Sequence, residues 1–140
     1  MTDSNKPALG AQSEDEEPSM DIPGVDTEKG LSFYAYDLDI YLDILRSFAA
    51  NTPPVLDRIR SVSPETLADY AISLHGIKGI SANVCAENTR AAALELETMA
   101  RAGDLPGVLA KNAGFIKDTE AVLSAIKAWL EQYDAAYNSR

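Results

Sequence analysis

Leu74-His75-Gly76-Ile77-Lys78-Gly79-Ile80-Ser81-Ala82-Asn83-Val84-Cys85-Ala86 is the stretch on which the reading of this chain turns. Leu74, Ile77, Ser81 and Val84 recur at three- and four-residue steps, which predicts one stripe of a helix facing a core. His75, Lys78, Gly79 and Ala82 fall on a second stripe about 100° or more round the same cylinder, so the histidine and lysine point outward. Gly76 and Gly79 are the anomaly, because each costs about 1 kcal/mol against alanine inside a helix. Together with Ala82 they leave the surface round the imidazole almost bare. Such a face suits approach by another macromolecule better than a small-ligand pocket. Close helix packing is the competing explanation of the glycines.

The sequence outside this stretch is helical by the same criterion. Leu38, Tyr41, Leu42, Leu45 and Phe48 form one apolar stripe, which Asn51, Pro53 and Pro54 punctuate. Val55, Leu56 and Ile59 then continue a kinked helix or make a short second one. Ser63-Pro64-Glu65 is a restart, with serine as N-cap, proline in the first turn and an acid at the positive end of the dipole. The helix it opens ends near Asn83 to Cys85. Another runs from about Ala86 through Leu94, Leu96 and Met99 to Gly103-Asp104. In the last, Leu109, Ile116, Leu123 and Leu130 stand seven residues apart, flanked by Leu105, Ile126 and Tyr133, as a bundle seam. Trp129 reads as core. Short connections make neighbours antiparallel, so the fold class expected is all-α: an antiparallel up-down four-helix bundle with an N-terminal cap segment or short helix.

The 140 residues carry 12 Lys+Arg against 22 Asp+Glu, a formal charge of −10. This balance opposes nucleic-acid partners and anionic membrane surfaces, which need a basic face. The first thirty residues hold eight of the acids and only two lysines. Residues 1–20 are therefore expected to be a disordered acidic tail or linker, and 21–137 the folded domain. No apolar run reaches the ~20 residues of a membrane span. One cysteine, Cys85, excludes an internal disulfide and Cys-rich zinc sites, and one histidine makes a multi-His metal site hard to build. A cytoplasmic location fits this pattern. Cys85 lacks a basic partner in sequence and reads as a small buried residue. Asn83 is assigned a helix-ending backbone bond. Arg90 and Arg101 read as solvated charges.

The chemistry open to His75 is nucleophilic, since a neutral imidazole attacks phosphorus at physiological pH to give a phosphoramidate. Lys78, one turn away, is placed to offset phosphoryl charge. No acid–base partner or metal cage is evident beside it, and no nucleotide loop or catalytic dyad appears.

With those residues in view, the stretch resembles histidine-containing phosphotransfer (HPt) domains, the intermediates of multistep two-component phosphorelays. The family pattern runs His-x-Leu/Ile-Lys-Gly-Ser/Ala-Ser/Ala-x-Asn-Ile/Val-Gly-Ala. His75, Ile77, Lys78, Gly79, Ser81, Asn83, Val84 and Ala86 fit it. Ile22-Pro23-Gly24-Val25-Asp26 with Gly30-Leu31 is similar to the family's N-terminal cap. Asp39, Tyr41, Leu45 and Phe48 resemble its first helix, and Leu94-Glu95 through Gly103-Asp104 its third. Two positions depart: Ile80 stands where a small residue is usual, and Cys85 where glycine is, so a left-handed backbone at Cys85 would be strained.

The resemblance implies a phosphocarrier without autonomous catalytic activity. His75 would accept a phosphoryl group from the aspartyl phosphate of a response-regulator receiver domain and pass it to another receiver. Lys78 would stabilise phosphoryl charge, and Gly76, Gly79 and Ala82 would form the docking face. No cofactor is expected on this chain, because Mg2+ belongs to the receiver. The other partner implied is a sensor or hybrid histidine kinase, and the expected state is a monomer. Two alternatives stand beside it: a module phosphorylated directly by a histidine kinase domain, and a helical adaptor that docks receivers without phosphotransfer.

Overall fold

A computed structural model describes residues 20–137. Five helices follow one another: α1 (Thr27–Phe33), α2 (Leu38–Arg58), α3 (Leu67–Val84), α4 (Glu87–Arg101) and α5 (Leu105–Tyr137). A single 3-10 turn, Pro64–Thr66, precedes α3, and among the described residues there is no strand. The acidic tail expected over 1–20 lies outside the described residues up to position 19. Met20 does not belong to it: the residue is half-buried, packs against the core, and its carbonyl accepts the Thr27 hydroxyl.

Side-chain caps mark several of the helix starts, although α3 and α4 begin without one of their own. Asp37 accepts the Ile40 N–H at 3.2 Å and opens α2, whose Tyr41, Leu42, Leu45, Phe48 and Leu56 are buried. Pro53 and Pro54 do not end it. The helix continues through both to Arg58, so Val55 and Leu56 belong to the same element. Each proline removes one backbone donor, at the cost of the bonds to the carbonyls of Ala49 and Ala50, residues that are half-buried and exposed respectively. Ser63 and Thr66 form a reciprocal capping box, Ser63 N–H donating to Thr66 Oγ1 at 2.9 Å. It caps the 3-10 turn, and α3 proper begins at Leu67, later than the Ser63-Pro64 restart implies.

The seam of α5 needs correction at its first position. Ile116, Leu123, Ile126 and Leu130 are buried, but Leu109 is 55 % exposed and Val108 is fully buried in its place. A seven-residue repeat drifts by about 20° per heptad on a straight helix, so three heptads back from Leu130 carry Leu109 off the buried face. The true stripe includes two polar residues, Asn112 and Thr119. Asn112 donates to the Ile59 carbonyl at 2.7 Å and accepts from Tyr70 Oη at 2.8 Å, tying the start of α5 to the end of α2 and the start of α3. At the other end Arg46 holds Asp134 through two bonds, 3.0 and 2.7 Å. The core these helices share is one contiguous apolar cluster. Within it α3 packs most extensively against α4.

Candidate functional site

The α3 stripe is placed by its apolar edge. Leu74, Ile77, Ser81 and Val84 are buried, which turns His75, Gly76 and Gly79 to the exposed side and leaves Lys78 and Ala82 half-exposed. The imidazole of His75 is 63 % exposed. A Cβ added at Gly76 or Gly79 would meet nothing within 4 Å. Helix packing therefore gives no reason for either glycine, and both positions are bare surface beside the ring. Ile80 leans the other way and packs against the core.

The structure adds a residue that the sequence reading lacked. Glu97 of α4 is only 5 % exposed, and its carboxylate gathers three nitrogen groups. His75 Nδ1 lies 3.0 Å from Oε2, Arg101 Nε 3.0 Å from the same oxygen, and Lys78 Nζ 2.8 Å from Oε1. The Lys78 ammonium, then the Arg101 guanidinium and the imidazole, outweigh the cost of burial and hold the Glu97 carboxyl down to about 2. Glu97 is thus ionised at neutral pH and can only accept. Nδ1 of His75 must carry the proton it shares, and in the neutral ring the lone pair is left on Nε2. Two sequence expectations change here: His75 does have an acidic partner, and Arg101 is bound to it rather than merely solvated. Arg90 stays on its own helix, paired with Glu87 at 3.1 Å.

A sequence signal for Glu97 existed. It stands four residues from Ala93 and three from Ala100, inside the apolar stripe of α4, where an acid needs a partner. Which helix supplied that partner was not readable from periodicity.

The far end of the site helix is closed by groups from elsewhere. Cys85 adopts φ 65° and ψ 41°, the left-handed conformation, and its thiol is buried. Ala86 N–H reaches the Ser81 carbonyl and Cys85 N–H that of Ala82. Three remaining carbonyls are taken by the N-terminal segment. Tyr34 Oη donates to Asn83 O, Tyr41 Oη to Val84 O and Asp26 N–H to Cys85 O, each at 2.9 Å. The described bond at Asn83 thus runs through its backbone carbonyl, not through the side-chain contact assigned from sequence. These bonds offset the strain that an L-residue carries at Cys85.

Among the described residues no group of three or more His, Cys, Asp or Glu side chains is arranged to hold a metal ion. No helix there is long and apolar enough to cross a membrane. No protein-family model, curated protein or solved structure matches the chain.

Proposed function

We propose that the chain is a phosphorelay carrier of the HPt type, its four long helices forming the antiparallel up-down bundle of that family with α1 as the cap. His75 accepts a phosphoryl group from the aspartyl phosphate of one receiver domain and delivers it to the aspartate of another. The observation that carries this reading is the bond between an exposed imidazole and an ionised, buried Glu97. It leaves Nε2 as the nucleophile on a face that Gly76 and Gly79 keep clear.

In the transfer, the Nε2 lone pair forms the bond to phosphorus as the phosphorus–oxygen bond to the aspartyl group breaks, and the carboxylate leaves with the electron pair. Nδ1 keeps its proton, so the ring becomes cationic, and Glu97 lies against that charge. The same contact serves delivery, because a protonated ring is the better leaving group when the next aspartate attacks. Lys78 is ion-paired to Glu97 Oε1 at 2.8 Å and carries three donors, which serve the phosphoryl oxygens in this reading. Mg2+ and the acceptor carboxylate come with the receiver. A monomeric, cytoplasmic carrier without catalysis of its own belongs to the same proposal.

The test is transfer of radiolabelled phosphate from phosphorylated receiver domains to the purified chain, with ATP alone and His75→Gln as controls. Acid-labile, base-stable label on the wild type and none on His75→Gln is the expected result. Binding without label would instead indicate a docking adaptor, and label only from an ATP-driven kinase would indicate a direct kinase substrate.

A further inference from the structure

Arg101 is held at the site but only partly used. Its Nε and His75 Nδ1 each lie 3.0 Å from the same Glu97 oxygen, so the two nitrogens stand no more than about 6.0 Å apart. The side chain is 54 % exposed, and among the described residues its hydrogen bond uses Nε, so that both terminal amino groups of the guanidinium have no partner there. That planar fork matches phosphoryl oxygens better than a lysine does.

Charge points the same way. With His75 neutral, Lys78, Arg101 and Glu97 sum to +1. Loading adds a phosphoryl group of about −2 and leaves a proton on the ring, which brings the site close to neutral. Without Arg101 the loaded site would stay negative. We propose that Arg101 is a second phosphoryl-binding residue, which closes its free amino groups on the phosphoryl oxygens once His75 is loaded and so lengthens the life of the phosphohistidine. This rests on His75 being the phosphoacceptor. The physical reason is that a phosphorus–nitrogen bond breaks more readily when the group is protonated, and a cation at the oxygens opposes protonation.

The experiment loads wild type, Arg101→Ala and Arg101→Lys with phosphoramidate, which needs no partner protein. The bond from phosphorus to Nε2 forms as that to the donor nitrogen breaks and ammonia leaves. Phosphohistidine decay and the pH titration of its phosphorus resonance are then followed, with circular dichroism checking the fold. Arg101→Ala should lose its phosphoryl group about two- to fivefold faster, the range an exposed ion contact carries. Its phosphoryl titration should move to higher pH, a change that a merely structural role would not cause. Arg101→Lys should recover part of both effects, and high salt should shrink them. Decay and titration unchanged in Arg101→Ala would overturn the proposal, as would a wild type that phosphoramidate does not load. A wild type that loads this way yet takes no label from any phosphorylated receiver would sink the phosphorelay reading instead, leaving the Arg101 result to stand or fall by itself.

Discussion

His75 Nδ1 and Glu97 Oε2 meet at 3.0 Å across the interface of α3 and α4, joining an exposed ring to a carboxylate that is almost wholly buried. The geometry assigns the ring proton and places a fixed negative charge beside the ring, where the proposed transfer would make it positive. Replacing Glu97 by glutamine keeps the shape and removes the charge. Glu97→Gln should retain the helical circular dichroism and slow transfer in both directions by about tenfold, the factor that ~1.4 kcal/mol of lost charge compensation represents. Rapid-quench transfer kinetics with one receiver decide it, and unchanged rates would show the contact to be structural only.

The same carboxylate makes stability depend on pH. Its folded value, about 2, lies below the ordinary 4.5, so its contribution is fully present above 4.5 and is lost as pH falls towards 2. Urea melts of wild type and Glu97→Gln should therefore differ most at neutral pH and converge over that interval. A difference that persists at pH 2 would mean that shape, not charge, is responsible.

Gly76 and Gly79 allow function and stability to be separated. Since a Cβ at either position meets open space, Gly76→Ala and Gly79→Ala should each stabilise the fold by about 0.5–1 kcal/mol, raising Tm. Gly79→Leu should keep a melt at or above that of the wild type while weakening receiver binding, measured by titration calorimetry. A fall in Tm for the alanine variants would restore the packing explanation.

Gly30 behaves oppositely. It is buried, and a Cβ there would run into the ring of Tyr41, which is itself fully buried and bonded to the Val84 carbonyl. Gly30→Ala should cost about 1–3 kcal/mol by overpacking, seen as a lower Tm and faster amide exchange in α1. Wild-type stability in this variant would mean that α1 shifts freely against Tyr41 of α2.

The sequence by itself determined that the described chain is helical, where α3 buries its apolar stripe, and that His75 lies off that stripe, because the period of 3.6 is a property of one segment alone. It also marked Gly76 and Gly79 as unexplained by helix stability. It could not say what stands opposite His75. Glu97 is 22 residues away, and a helical wheel locates a face without naming the neighbour that covers it. Leu109 failed for a related reason: a regular heptad matches its own pattern, whereas burial depends on where the straight helix meets α2, α3 and α4. Cys85 shows the limit most clearly. Its left-handed backbone is disfavoured locally and persists because Asp26, Tyr34 and Tyr41, from distant parts of the chain, take the carbonyls that end α3. Tertiary structure decided these points, since each depends on a contact between segments whose relative placement no local preference encodes.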